Sequence, residues 1–407
     1  MHIRTSLLLA VIATTARAEP LTFAGALDLA ARSAPGVQAK ALQVEATRSA
    51  ARAAGALPDP KLAVGIDNFP VSGPPAGRFD ADDMTMARIG VTQDIPNTAR
   101  RRAATAGAGA EVDLAQAEAE AASRDVRIAT ALAWLDLAYA EKRIAALDQL
   151  TAGLKGLWDG QPASVASGAA RPAAGLAPAR LRAEFEDRRS ALVAEAAKAR
   201  ADLARWTGDP SPSVAGQMPT FEIDASDLRA GLDGLPALAQ RQAATRRAEA
   251  AADAARASKQ PDWGVEVAYG RRDPMFGDMV SAGVTVSLPL FARGRQDPLI
   301  AARTAEVGRA RLEREDARRA LAAALERDLA DHEMHHQQWR RSVDVLVPTA
   351  EQQSHLEVSS YGAGRADFND VMDALTGLAD AKLEALEREA MVARDGVRIV
   401  LTYGSAQ

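Results

Sequence analysis

Trp263-Gly264-Val265-Glu266-Val267-Ala268-Tyr269 and, after a short interruption, Val280-Ser281-Ala282-Gly283-Val284-Thr285-Val286-Ser287-Leu288 alternate apolar with small or polar residues. Successive side chains of a strand point to opposite faces, so each run predicts a β-strand with one apolar face. The other face carries glycine, serine, threonine and a glutamate. A soluble sandwich gives the same alternation, but so small and polar a face suits a water-filled lumen better than a second sheet. The strands predicted around these runs, near 261–270 and 280–290, span about 10 and 11 residues, the length a tilted strand needs to cross a bilayer.

The pair occurs twice. Pro60-Lys61-Leu62-Ala63-Val64-Gly65-Ile66 answers to Pro261-Asp262-Trp263-Gly264-Val265-Glu266-Val267, and Gly90-Val91-Thr92 with Pro96 answers to Gly283-Val284-Thr285 with Pro289. Leu203-Ala204-Arg205-Trp206-Thr207-Gly208 corresponds to Ile399-Val400-Leu401-Thr402-Tyr403-Gly404, and the same offset sets Ser167-Gly168 against Ala363-Gly364. The chain is therefore an internal duplication, each half running helix, strand, strand, long helical hairpin. This organisation predicts a leader over 1–18, a first repeat over 19–207 with strands near 60–69 and 84–96, a linker over 208–235, and a second repeat over 236–407 with strands near 261–270 and 280–290. The linker is read from Pro210, Pro212, Gly216, Pro219, Gly231 and Gly234. The stretches 67–83 and 270–279 read as exposed loops.

The leader has a basic start at His2 and Arg4, an apolar run from Leu7 to Ile12 and the small-x-small box Ala16-Arg17-Ala18, the pattern of a cleaved secretory signal. There is no cysteine, which excludes disulfides, thiolate metal sites, cysteine nucleophiles and a cysteine-linked lipid anchor. Past the leader no apolar stretch approaches the ~20 residues of a spanning helix, so a membrane-spanning form of this chain must be a β-barrel.

Most other segments read as helix. The 407 residues are 47% hydrophobic but only 4% aromatic, an alanine-rich balance that suits long, closely packed helices. From Thr98 to about Ser167, the steps Ile128, Leu132, Leu135 and Tyr139 trace a coiled-coil seam, with a break expected near Gly160 and Pro162. The matching arm runs from about Arg295 to Tyr361, with a kink expected at Pro348, and returns from Phe368 with Val371, Leu375 and Leu378 on one face. The formal charge of -5 arises without basic blocks or interleaved aromatics, which argues against a nucleic-acid surface.

Certain stretches carry a family likeness: Leu21-Thr22-Phe23-Ala24-Gly25-Ala26-Leu27, Gly55-Ala56-Leu57-Pro58-Asp59-Pro60, Ser287-Leu288-Pro289-Leu290-Phe291, and Tyr361-Gly362-Ala363-Gly364-Arg365-Ala366-Asp367-Phe368-Asn369-Asp370-Val371-Met372-Asp373-Ala374. With four amphipathic strands and two tandem helical hairpins, the chain resembles the TolC-like outer membrane efflux factors. The strand entry and Asp67-Asn68-Phe69-Pro70 look most like the CzcC-like cation-efflux branch. The resemblance implies a mainly α protein with a transmembrane β-barrel. Three chains would each give four strands to a twelve-stranded barrel, continued by a periplasmic α-helical coiled-coil barrel. It further implies the outer membrane of a Gram-negative cell and a passive exit duct, with heavy-metal cations the cargo of that branch. The implied partners are a periplasmic adapter, an RND-type inner-membrane pump and outer membrane lipid, with no cofactor. Four strands alone leave unpaired edges in lipid, so a single inserted chain is not credible, and the trimer that the resemblance implies removes those edges.

The same match places Asp370 and Asp373 where acidic rings constrict the tube, and Gly168, Tyr361, Gly362, Gly364 and Arg365 at hairpin tips that dock the adapter. The alternative for Asp370 is an ordinary first-turn acid interacting with the helix dipole, and for Asp373 a solvated residue. The first tip, Ala169-Ala170-Arg171-Pro172-Ala173-Ala174-Gly175, has no acid, so an acidic ring comes from the second half alone.

His332-Glu333-Met334-His335-His336 matches H-E-x-x-H, the helical zinc-protease motif. Proteolysis needs a third ligand and a cleft, and this motif sits mid-arm, so no catalytic or metal residue is assigned. The histidines 332, 335 and 336 on one helix face leave cation contact open. A secreted coiled-coil scaffold explains the helices but leaves the strands without a role. No phosphate-binding glycine loop or Ser-His-Asp arrangement supports another enzyme class.

Overall fold

The computed structural model describes residues 19–166 and 175–404. The leader over 1–18 and the first tip, with Gly168, lie outside the described residues. In chain order the elements are α1 (Phe23–Ser33), α2 (Pro35–Ala53), β1 (Lys61–Asp67), β2 (Met86–Ile95), α3 (Thr98–Ala166), α4 (Ala177–Thr207), α5 (Ala225–Gly231), α6 (Pro236–Ala257), β3 (Trp263–Arg271), β4 (Met279–Val286), α7 (Ala292–Arg341), α8 (Val347–Gly362) and α9 (Phe368–Tyr403). The protein is thus mainly helical with one four-stranded sheet, and its strands fall where the alternation puts them. The described residues divide into two compact units, one comprising 19–38, 123–166, 175–231 and 323–404, the other 39–122 and 232–322.

The second unit holds the sheet. Its strands are antiparallel in the order β1-β2-β3-β4. Each half of the duplication supplies one hairpin, and the two join through β2 and β3, with Val91 opposite Val267 and Ile89 opposite Tyr269. Below the strands, Asn97 caps the start of α3, its side chain accepting from Arg100 N at 2.8 Å. Asp262 ties the hairpins together by accepting from Asn97 N at 2.7 Å and pairing with Arg100 at 2.9 Å. The helical part of this unit buries mostly alanine, including Ala103, Ala110, Ala243, Ala250, Ala252 and Ala310. Small side chains let helices approach closely, and this seam is what the alanine-rich composition builds. Lys40–Glu118, Arg246–Asp113 and Arg311–Glu249 ion pairs fringe it.

The first unit is centred on α3. Trp134, Leu135, Leu137 and Tyr139 pack with Ala26 and Leu27 of α1, Ala199 and Leu203 of α4, and Ala390 and Val397 of α9. Leu135 and Tyr139 are buried, whereas Ile128 and Leu132 are only half-buried. Residues 133–135 and 137–140 are all buried. Helix here is covered on several sides rather than along a two-helix seam. Trp134 Nε1 donates to the Leu21 carbonyl at 2.8 Å, and Phe23 meets the indole edge-on at 5.5 Å. Within 208–235, Gly208 caps α4 in the left-handed conformation, Leu21 bridges to Val214, and α5 gives helix to a stretch read as mainly loop.

Two proline expectations resolve differently. The break near Gly160 and Pro162 does not occur: α3 continues to Ala166, with Leu154 and Trp158 buried against Leu181 and Phe185 of α4. Packing of an apolar face outweighs the local loss of a proline N–H. At Pro348 the expected irregularity is present and has a defined form. Residues Ser342–Leu346 are a π-helical turn between α7 and α8, and Pro348 occupies the first turn of α8. Widening the preceding turn accommodates a ring that cannot sit against the carbonyl four residues back.

Candidate functional site

Strand register sorts the sheet's side chains onto two faces. Leu62, Val64 and Ile66 of β1, Ile89 and Val91 of β2, Val265 and Val267 of β3, and Val280, Val284 and Val286 of β4 share one face. All are exposed in the single chain, Val64 and Val280 each by 73%. An exposed apolar surface spread over four strands marks a site of contact with lipid or another protein. Trp263 and Tyr269 stand at opposite ends of it, six residues apart on β3, about 20 Å at strand rise. That separation approaches the ~25 Å apolar band of an outer membrane barrel, whose borders carry aromatic residues.

The other face holds Gly65, Gly90, Gly264, Ala268, Gly270, Ser281, Gly283 and Thr285. Here the strands come too close for larger residues: a Cβ on Gly90 would meet the Ala268 Cβ at 2.9 Å. Its charges are Lys61, Asp67, Arg88, Asp94 and Glu266. Lys61 pairs with Asp94 at 2.6 Å, and Arg88 pairs with Asp67 of β1 at 3.4 Å and with Glu266 of β3. Both outer strands, β1 and β4, have a partner on one side only within the sheet.

In the first unit, α8 passes to α9 through a Schellman turn. Arg365 N donates to Ser360 O at 2.8 Å, and Gly364 N to Tyr361 O at 2.9 Å. Gly364 has φ +70°, the left-handed conformation that glycine adopts without penalty, and space around it is open. Tyr361 meets Phe368 edge-on at 5.6 Å. Four of the expected tip residues, Tyr361, Gly362, Gly364 and Arg365, therefore sit together on one turn.

Asp370 lies in the first turn of α9 and completes a capping box. The Asp367 side chain accepts from Asn369 N at 3.3 Å, and Asp370 Oδ2 accepts from Asp367 N at 2.9 Å. The motif Asp367-x-x-Asp370 was its signal in sequence. Asp373 is exposed one turn on, while Phe368, Val371, Met372 and Leu375 turn inward. Asp370 and Asp373 thus share an exposed flank of α9, and one carboxylate also holds the helix start.

The histidines do not form a protease centre. His335 Nδ1 is 2.6 Å from Asp395 Oδ2 on α9, and buried Asp395 also accepts from Arg398 at 2.9 Å. Glu333, the candidate base, accepts instead from Gln337 at 2.7 Å. His332 and His336 have ring centroids 6.3 Å apart, and His336 rests against Trp339. The Nδ1 of His332 is buried without a partner, and burial pushes its pKa below the ordinary imidazole value despite the nearby Asp395 carboxylate. No group of three or more His, Asp or Glu among the described residues is arranged to hold a metal ion.

Sequence reading singled out neither the Arg88 cluster nor the His335–Asp395 contact. The first was detectable, since charges on the small-residue face of a strand are conspicuous once the two faces are separated. The second joins residues 60 positions apart on different helices and left no local pattern.

A family model described as outer membrane efflux protein matches residues 230–405. No curated protein matches the chain in sequence. Solved structures match nearly all of it. A membrane protein from Pseudomonas aeruginosa superposes with a TM-score of 0.82 at 16% identity, covering 94% of this chain and 90% of that one. CusC, which forms a transmembrane channel, gives 0.81 at 12% identity with 94% and 92% covered. The outer membrane protein VceC of Vibrio cholerae gives 0.79 at 16% identity with 94% and 96% covered. The fold is therefore that of the TolC-like outer membrane channels.

Proposed function

We propose that three copies of this chain form an outer membrane exit duct. Each gives its four strands to one twelve-stranded barrel and its helices to a periplasmic tube. The observation that carries this reading is the two-faced sheet: an exposed apolar face over four strands, a small and charged opposite face, and two outer strands each lacking a second neighbour. In hydrocarbon an unpaired strand edge costs several kcal/mol per group, and closing β4 of one chain on β1 of the next removes all such edges. A coiled-coil scaffold would leave the apolar face in water.

In this reading the duct is passive and sits in the outer membrane of a Gram-negative cell. A periplasmic adapter and an RND-type inner-membrane pump deliver the cargo. The turn at Tyr361, Gly362, Gly364 and Arg365, with Gly168 in the other half, is the adapter-docking tip, and Asp370 with Asp373 lines the periplasmic aperture. The repeats over 19–207 and 236–407, joined by 208–235, are two pseudo-equivalent halves, each giving one strand pair to the barrel and one helical hairpin to the tube. The CzcC-like reading, with heavy-metal cations as cargo, rests on the strand entry and Asp67-Asn68-Phe69-Pro70.

Purification with and without detergent tests the proposal. The expected product is a detergent-requiring trimer by light scattering that gives ion conductance in planar bilayers. A monodisperse monomer, stable in buffer without detergent, refutes it.

A further inference from the structure

The face of the sheet opposite the apolar one holds three charged residues from three strands in a single cluster. Arg88 of β2 reaches Asp67 of β1 at 3.4 Å and also contacts Glu266 of β3. Arg88 stands opposite Gly65 and Gly270 in the two ladders, and Glu266 stands opposite Thr92 and Gly283. Between them lie Gly90 and Ala268, too close together for larger side chains. The guanidinium therefore spans a floor of glycine and alanine to reach a carboxylate two pairs further along the ladder. A long flexible side chain laid across a cleared surface is a built arrangement, and each of its three members is only about one-third to two-fifths exposed.

Duplication makes the cluster more informative. In the repeat alignment Arg88 corresponds to Ser281 and Glu266 to Gly65. Neither half carries both partners, so the contact exists only where β2 of the first half meets β3 of the second. One arginine faces two carboxylates, leaving one uncompensated negative charge per chain. The other charged pair on this face, Lys61 with Asp94, is balanced.

We infer that Asp67, Arg88 and Glu266 form a charge belt on the inner wall of the barrel that selects for small cations passing through it. The inference rests on the trimeric duct proposed above, in which the belt repeats three times around the lumen with a net excess of three carboxylates. Fixed charges on a narrow low-dielectric wall concentrate the opposite ions, and rings of carboxylates are a common basis of cation preference. The arginine pins both carboxylates to the wall, so the belt acts without projecting into the bore.

The test is ion selectivity in planar lipid bilayers, read as the reversal potential in a potassium chloride gradient. It is made in a D370N/D373N background so that the tube's acids do not contribute. E266Q should move the reversal potential toward the non-selective value, and R88Q should move it the other way, toward stronger cation preference. The double variant R88Q/E266Q, with the same net charge as the parent, should return close to the parent value. Opposite shifts with recovery in the double variant support the belt. Open channels whose reversal potential is the same in E266Q and R88Q overturn it. The parent's failure to conduct at all overturns the duct itself, a separate outcome. D67N, which keeps Arg88 and Glu266 in place, guards against misfolding of E266Q and should shift selectivity in the same direction.

Discussion

Val267 offers a direct test of what the apolar face touches. It lies mid-strand in β3, opposite Val91 and Ala282, and is 57% exposed in the chain. If that face meets water, Val267→Arg is a surface change worth within about 0.5 kcal/mol. If it meets hydrocarbon near the bilayer midplane, one arginine costs about 2–4 kcal/mol. A trimer places three there, for roughly 6–12 kcal/mol per assembly, comparable with the ~5–15 kcal/mol total stability of a typical domain. Thr92 provides the matched control, because it pairs with Glu266 and Lys61 on the opposite face. There an arginine meets water and a carboxylate, and Thr92→Arg should assemble. The assay is recovery of heat-modifiable trimer from outer membranes, with denaturant titration in liposomes for the magnitude. Equal trimer yield from V267R and the parent would refute the assignment of this face to lipid.

Further outcomes follow from the helical unit and the tip. Asn at 370 retains an oxygen that can accept from Asp367 N, so Asp370→Asn/Asp373→Asn should leave thermal stability within about 0.5 kcal/mol. It should reduce cation preference and multivalent-cation block in single-channel recordings; unchanged block would leave both residues as ordinary helix-start acids. Gly364→Ala should cost about 1 kcal/mol from its left-handed backbone alone, since open space surrounds the site, and Gly364→Asn should cost less, as read by thermal unfolding. Gly364→Trp should abolish efflux while trimer and membrane insertion persist, and efflux that survives it would displace the docking site. For His332, burial depresses the folded pKa, so the unfolded chain binds the proton first. Stability should therefore fall as the pH drops below the ordinary imidazole value of about 6.5, and His332→Leu should flatten that slope in urea titrations at successive pH values.

How far each element was legible depended on whether its cause was local. Alternation in β3 and β4 is a property of neighbouring residues, and it placed strands, faces and loops directly. Val371, Leu375 and Leu378 likewise announced the inward face of α9, and all three are buried. Gly160 and Pro162 misled because the packing that keeps this end of α3 helical comes from α4, through Phe185 and Leu181 against Trp158. The seam at Leu135 and Tyr139 was visible, yet the burial of Trp134 and Leu137 beside it depends on α1 and the Leu21 carbonyl, over a hundred residues away in sequence. At Asp370 the resemblance pointed to an aperture, while the residue's own neighbourhood already spelled a capping box.

The pairing of β2 with β3 sets an order of events for the growing molecule. Asp67 and Met86, the facing ends of β1 and β2, are 19 positions apart (86 minus 67), whereas Ile95 and Trp263 are 168 apart (263 minus 95). Loop-closure entropy makes the second joining about 2 kcal/mol more costly than the first, by the logarithm of the length ratio. The hairpins β1–β2 and β3–β4 should thus form early and separately, and their union must wait for α3 through α6 to be synthesised. Throughout that interval the free edge of β2 and its row of valine and isoleucine stand open to any other strand. Such edges seed aggregation, so the long gap between the strands makes this chain dependent on being held apart from its own copies until β2 and β3 have paired.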